Sequence, residues 1–196
     1  MSDWYQAVAV CDVLEDESQS LANSVIERLV SDGIIEAELY PHAVLGGDGG
    51  YRPGRSIPVL YEREGDEGDF RSLLTNGVEV RAERWVNFFG FTILDGFACP
   101  GCFTKHKQGG NAVTEAFYDA TVAFLNGGEA GEVACTACGK STAIRQWKTV
   151  PNLCFANLAF QFWNWPPLDY SAWKTHIPSL VKSIVGREVI TTYGRV

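Results

Sequence analysis

The chain has 196 residues, of which 46% are hydrophobic, with six Trp, seven Tyr and eleven Phe. This composition is typical of a folded globular protein and excludes a disordered chain. The net charge of −8 is concentrated in residues 1–98, which hold 7 Lys and Arg against 18 Asp and Glu. An acidic half disfavours nucleic acid and membranes as partners and favours a basic protein. Because no apolar run could span a bilayer and no secretory pattern opens the chain, we expect a cytoplasmic protein.

The first 40 residues predict a strand, a helix and a second strand. Residues 4–13 are mostly apolar, with β-branched side chains, and predict the first strand. Apolar residues then recur at helical spacing after Asp16, and Gly33 is placed to end that helix. Residues 34–40 predict the second strand.

The Gly46–Gly54 loop comes next and nearly matches a phosphate-binding loop. Residues 49–56 end in Gly54, Arg55 and Ser56, so that Arg55 stands where the motif has Lys. Pro58 follows, and we expect it to obstruct the helix that the motif requires. The segment is therefore interpreted as a surface loop followed by a short strand at 57–61, although an enzyme pocket beside the loop remains an alternative.

Two further patterns complete the first half. Residues 62–69 hold five carboxylates in a stretch interrupted by glycines. We expect an exposed acidic loop, which is either simply solvated or the surface that steers a basic partner. Asn76-Gly77 is a hairpin signal, and the alternation after it predicts a long strand that continues through Trp85 towards Leu94.

Four of the six cysteines form two pairs, Cys99/Cys102 and Cys135/Cys138, separated by 32 residues. A C-x2-C turn aims two sulfurs at one ion, and two such turns complete a tetrahedral shell of four thiolates. This spacing predicts one structural Zn²⁺, against iron or a redox disulfide pair as alternatives. Cys11 and Cys154 lie in apolar runs and are interpreted as buried free thiols.

Residues 97–147 resemble the zinc-ribbon class through their ligand turns. Gly139 follows the second turn, as is common in the class, but Phe103 occupies the matching position after the first turn. The resemblance implies a structural metal site, and it leaves nucleic-acid binding open, because some ribbons bind nucleic acid. His106 is the nearest additional ligand type, and we interpret it as a solvated loop residue beside Lys105 and Lys107.

The rest of the chain predicts two helices and two strands. In chain order these are a helix over 113–124 closed by Gly127, a strand over 155–165 buried on both faces, a helix over 173–184 kinked or restarted at Pro178, and a strand over 188–193. The aromatic cluster in residues 160–165 is interpreted as core packing.

These elements predict an α+β fold with a mixed or antiparallel sheet, two packed helices and an inserted zinc-ribbon-like module. We expect residues 1–98 and 149–196 to form one domain and residues 99–148 to form the module. Since no catalytic motif is present, the favoured function is non-enzymatic protein interaction, of the immunity or adaptor type. An enzyme and a nucleic-acid-binding ribbon are the alternatives, and the oligomeric state is open.

Overall fold

A computed structural model describes residues 3–62, 69–87, 96–150 and 152–195. The strands in these ranges are β1 (Trp4–Val10), β2 (Ile35–Tyr40), β3 (Gly50–Pro53), β4 (Val78–Arg81), β5 (Trp85–Val86), β6 (Phe97–Ala98), β7 (Lys105–His106), β8 (Glu132–Ala134), β9 (Ser141–Ala143), β10 (Lys148–Thr149), β11 (Phe155–Ala156), β12 (Ala159–Trp163) and β13 (Val189–Arg195). The helices are α1 (Glu15–Ser31), the single turn α2 (Ile57–Leu60), α3 (Ala112–Leu125) and α4 (Ile177–Val185). The predicted α+β class is confirmed.

The largest sheet has six strands in the order β13-β1-β12-β4-β3-β2, and every neighbouring pair is antiparallel. β12 and β13 therefore run parallel to each other on either side of β1, and α4 connects them. Likewise β1 and β2 run parallel with three strands between them, and α1 connects them. Both connecting helices pack on the same face of the sheet, where they contact each other.

The alternating side chains of the strands explain this packing. Val8 and Val10 of β1 face the helices and join a core with Val25 of α1 and Val181 of α4. The alternate residues of β1, Ala7 and Ala9, belong to a second buried cluster. All five residues of β12 are buried, as expected for a strand covered on both faces.

The aromatic residues near β12 are core residues, as predicted. Trp165 is fully buried and stacks on Trp173, with ring centroids 5.8 Å apart and planes at 12°. Phe70 contacts both rings. Aromatic pairs in such offset or tilted arrangements add stability beyond the area that they bury.

Two local predictions in the first half are wrong, and a third is confirmed only in part. Residues 57–60 form a helical turn instead of a strand, because Pro58 lies in the first turn, where its fixed φ and missing N–H are tolerated. The glycine segment is a loop, as predicted, only as far as Gly49, because residues 50–53 form β3, a strand of the main sheet. Asn76-Gly77 forms no hairpin: Asn76 is buried, and its side-chain amide donates to the carbonyls of Phe70 and Arg71.

Other predicted elements have shifted boundaries. The strand expected through Trp85 is interrupted between β4 and β5, and its continuation over residues 88–94 lies outside the described residues. Trp173 precedes α4, which begins at Ile177 with Pro178 in its first turn, so Pro178 restarts the helix. Gly186 ends α4 with φ 66°, a conformation that costs glycine little. None of the helices in the described ranges is long and apolar enough to cross a bilayer.

One cysteine of each pair, Cys99 and Cys135, belongs to a separate buried cluster. α3 packs there against β8, while β10-β6-β7 and β8-β9 form two small sheets. The cluster contains, among others, Phe97, Cys99, Phe117, Cys135 and Trp147, and it extends to Val86 and Phe155. The predicted division into a domain and an inserted module stays a prediction.

Arg84 connects this cluster to α1. Its guanidinium donates to the carbonyl oxygens of Phe124 at 3.0 Å and Gly128 at 2.5 Å, at the end of α3. It also pairs with Glu15 at the start of α1 and lies 5.0 Å from the centre of the Phe124 ring. One side chain thus joins the ends of two helices that are far apart in sequence.

We expect Arg84→Ala to lower the free energy of unfolding by about 2 kcal/mol, because hydrogen bonds from a charged donor to helix-end carbonyls are lost. Arg84→Lys should recover only a minor part of that free energy, since a lysine ammonium lacks the planar arrangement of several N–H donors that a guanidinium has. Urea denaturation measures both variants. Arg28→Ala is the control: its pair with Asp32 is exposed, and the expected loss is below about 0.5 kcal/mol. Equal losses at Arg28 and Arg84 would contradict the linking role.

Candidate metal centre

The four paired cysteines meet at one point. The sulfurs of Cys99, Cys102, Cys135 and Cys138 all lie within 4.8 Å of one another. Cys99 Sγ is 4.0 Å from Cys138 Sγ, and Cys102 Sγ is 3.7 Å from Cys135 Sγ. Each of these contacts joins one turn to the other, so the site exists only when both turns are assembled. The group can hold a metal ion.

Backbone hydrogen bonds close the first turn and hold Cys99 and Cys102 on the same side of it. Phe103 N donates to Cys99 O at 2.9 Å, and Cys99 N donates to Thr104 O at 3.1 Å. Gly101 N points at Cys99 Sγ at 3.3 Å. Phe103 closes the turn with φ 62°, in the left-handed region that favours glycine, and its side chain is 74% exposed.

The second turn repeats this geometry. Gly139 N donates to Cys135 O at 2.8 Å, and Cys135 N donates to Lys140 O at 2.9 Å. Gly139 has φ 73° and occupies the position that corresponds to Phe103. The two turns are therefore equivalent in backbone conformation although their residues differ.

The sulfur positions fit a tetrahedral ion. With metal–sulfur bonds of about 2.3 Å, tetrahedral geometry places neighbouring sulfurs about 3.8 Å apart. The observed 3.7 and 4.0 Å lie on either side of that distance. A disulfide would instead need about 2.05 Å, and all four thiols are free. Cys99 and Cys135 are buried, whereas Cys138 is exposed.

The thiols influence one another's ionisation. Hydrogen bonds from the side chain and backbone of Thr104 lower the pKa of Cys102 to about 6. The Lys140 amide also lowers the pKa of Cys138, but burial and three neighbouring thiols outweigh it and raise that pKa to about 11. Neighbouring thiolates repel one another, and a bound cation offsets that repulsion by coordinating them.

His106 lies at the site, so its interpretation as a solvated loop residue is wrong. It belongs to β7, is half-buried, and places Nε2 3.2 Å from Cys135 Sγ. His106 is the nearest additional ligand type in the sequence, but its contact with Cys135 depends on the pairing of His106 with Phe97 across β6 and β7, which residue spacing does not reveal.

The other two cysteines lie apart from the cluster. Cys154 is buried, and burial raises its pKa to about 12; Cys11 is half-buried, and burial likewise raises its pKa. Thiols with raised pKa values are poor nucleophiles at neutral pH. The interpretation as a buried free thiol is confirmed for Cys154, whereas Cys11 is free but only half-buried, so that its predicted burial is wrong.

A cleft of about 320 Å³ lies beside the Gly46–Gly54 segment. This is the place where the alternative function, an enzyme, predicts a pocket. Its linings include Asp48, Gly49 and Glu79. Burial raises the pKa of Glu79. However, Trp163 Nε1 donates to one oxygen of Glu79 at 3.0 Å, and Arg81 binds the other at 2.6 Å. Both oxygens are therefore engaged within the chain.

The acidic stretch over residues 62–69 is described only at its two ends. Glu62 pairs with Lys174 at 2.8 Å, and Asp69 pairs with Arg71 at 2.5 Å. The carboxylates between them lie outside the described residues. The carboxylate at each described end is therefore paired with a cation of the same chain.

Trp147 lies close in sequence to the basic side chains of the zinc-binding region, where a nucleic-acid-binding ribbon could use an aromatic ring. Trp147 is buried and packs edge-on against Phe117, with ring centroids 5.5 Å apart, so it is not available to stack on a base. Arg145 lies over the Phe124 ring at 5.7 Å. Lys105, Lys107, Lys140 and Lys148 remain exposed.

Comparisons with models of protein families, with curated proteins and with solved structures found no match to this chain.

Phe103→Gly should raise the free energy of unfolding of the metal-loaded protein by about 0.5–1 kcal/mol. A left-handed conformation costs an L residue about 1–2 kcal/mol, and the greater entropy of unfolded glycine returns part of that gain. Gly139→Ala is the matched control in the second turn. A Cβ there meets nothing within 4 Å, so we expect a loss of about 1 kcal/mol from backbone strain alone.

Both variants are measured by urea denaturation with metal in excess. A destabilised Phe103→Gly variant would show that the exposed ring contributes more than its backbone strain costs.

Proposed function

We propose that this protein is a non-enzymatic protein-interaction domain stabilised by one structural Zn²⁺. The observation that carries the proposal is the convergence of four thiol sulfurs within 4.8 Å. Four thiolates complete a tetrahedral shell and leave no coordination position for water or substrate. A metal bound in this way stabilises the fold and performs no hydrolysis.

Zinc suits this donor set better than the harder divalent ions. Thiolates are soft ligands that bind zinc and iron in tetrahedral geometry, whereas Mg²⁺ and Ca²⁺ prefer oxygen. The metal bridges β6-β7 to β8-β9, because Cys99 and Cys102 follow β6 and Cys135 and Cys138 separate β8 from β9. Its binding energy therefore contributes directly to the folding of this region.

Two exposed carboxylates at one edge of the large sheet support a basic protein partner. β2 is the last strand of that sheet, and Glu36 and Glu38 are both exposed on it. Charged side chains on an edge strand prevent indiscriminate strand pairing. They also steer a partner of opposite charge, which raises the association rate and selects against acidic partners. We name Glu36 and Glu38 on β2 the acidic edge.

The engagement of Glu79 supports a non-enzymatic function over the alternative of an enzyme. A general acid or base needs an oxygen that can reach substrate. Glu79 has a side chain 4% exposed, and its two oxygens bind Arg81 and Trp163. This arrangement is that of a structural buried carboxylate.

Purified protein should contain one zinc ion per chain by elemental analysis, and Cys135→Ser should lose it. Removing zinc with a chelator should increase amide hydrogen exchange in residues 99–148. The large sheet should keep its protection, because it has its own buried core. Cys154→Ser is the control and should retain zinc. Stoichiometric iron, or protein without metal after reduction, would overturn the zinc assignment.

The partner is tested by affinity capture from the source cell, followed by binding kinetics against salt. We expect the double variant Glu36→Gln/Glu38→Gln to associate more slowly and with a weaker dependence on salt, since exposed charges act within a Debye length of about 8 Å at physiological ionic strength. Glu115→Gln/Glu129→Gln makes the same change of charge on the exposed surface of the zinc-binding region.

The control should retain the wild-type association rate. Equal effects of the two double variants would show that net charge, and not the acidic edge, controls association. Tight binding of wild-type protein to DNA or RNA would favour the ribbon alternative instead.

A further inference from the structure

We propose that His106 donates a hydrogen bond from Nε2–H to the Cys135 thiolate of the loaded site and thereby increases its affinity for zinc. The inference rests on the proposed zinc site. Its starting point is the 3.2 Å distance between His106 Nε2 and Cys135 Sγ, which is short enough for an N–H···S hydrogen bond. His106 is a positioning residue in this proposal and not a fifth ligand.

The sulfurs of the two turns differ in their hydrogen-bonding partners, and His106 supplies one to Cys135. Cys99 Sγ has Gly101 N and Cys102 Sγ has Thr104 Oγ1, each two residues further along the chain. The Lys140 amide, two residues beyond Cys138, lowers the pKa of that thiol. Ala137 holds the corresponding position for Cys135. In the part of the chain that the structure describes, the nitrogen that reaches Cys135 Sγ is Nε2 of His106.

The surroundings of the ring favour a proton on Nε2. Thr136 Oγ1 lies 3.5 Å from His106 Nδ1, so its hydroxyl faces the other ring nitrogen. A hydroxyl that donates to Nδ1 leaves the proton of the neutral imidazole on Nε2, facing the sulfur. The ring also packs against Trp147, with centroids 5.7 Å apart and planes at 50°, which restricts its rotation.

The hydrogen bond matters because of the charge of the loaded site. Zn²⁺ with four thiolates has a net charge of −2, and Cys135 is buried, so water does not solvate its sulfur well. An N–H donor aimed at that sulfur stabilises the negative charge without occupying a coordination position. Partners of metal ligands typically change metal affinity by roughly 10- to 100-fold.

The experiment uses the full chain loaded with Co²⁺, which reports tetrahedral thiolate coordination in its visible spectrum, and with Zn²⁺ for affinity. His106→Phe removes the donor but keeps a ring against Trp147. We expect a roughly 10- to 100-fold weaker affinity for zinc in competition with a chelator. The sulfur-to-cobalt charge-transfer band should move to longer wavelength, because the sulfur lone pair loses stabilisation.

Two further variants separate the hydrogen bond from general packing. His106→Gln offers an amide N–H and should recover part of the affinity and of the band position. His42→Phe changes an exposed histidine elsewhere and should match wild type in both readings. Circular dichroism of the loaded proteins verifies that each variant is folded.

Three further outcomes would overturn the proposed hydrogen bond, and they differ in what they say about the zinc site. Wild-type affinity and an unshifted band in folded His106→Phe would overturn the hydrogen bond and leave the zinc proposal standing. X-ray absorption that shows three sulfurs and one nitrogen in the wild-type zinc site would overturn it too, because His106 would then be a ligand. Wild-type protein that loads neither metal would overturn the zinc proposal and this inference together.

Discussion

Four sulfurs from two turns that are far apart in sequence lie within 4.8 Å of one another, and they meet only when both turns are assembled. Each turn has the same pair of backbone hydrogen bonds, and each is closed by a residue with positive φ. The buried cluster beneath them is small and contains the aromatic pair of Phe97 and Phe117. A metal ion held by the four sulfurs would therefore supply much of the stability of this region, as it does in small metal-binding domains.

The connection between this region and the large sheet depends on Phe124 at the end of α3. Arg84 lies over its ring at 5.0 Å and Arg145 at 5.7 Å, so the ring contacts two cations. Phe124 also packs edge-on against Phe155 of β11. Aromatic and cationic contacts of this kind are stronger when partly desolvated. They hold the end of α3 against β11.

Much of this architecture was predictable from sequence, because it depends on local signals. The convergence of the four cysteines follows from two C-x2-C turns, and α1 and α3 follow from apolar spacing. The failures share a different cause. Asn76 is used for buried hydrogen bonds to a preceding turn, while Gly77 is needed because a Cβ at that position would lie 2.7 Å from the Cβ of Ala43. Neither role is visible without the fold, and the same holds for the contact of His106 with Cys135.

Phe103 shows how the closure of a turn overrides local preference. A bulky residue with φ 62° is strained, and its 74% exposed ring gains little from burial to offset that strain. The turn nevertheless keeps this conformation, because φ of Phe103 directs the following chain so that Thr104 O can accept the hydrogen bond from Cys99 N. Gly139 meets the same requirement at little cost, and Cys135 N donates to Lys140 O in the second turn. The backbone at both positions is therefore set by the hydrogen bonds that close the turns, and the preference of the side chain for a different φ is the weaker of the two effects.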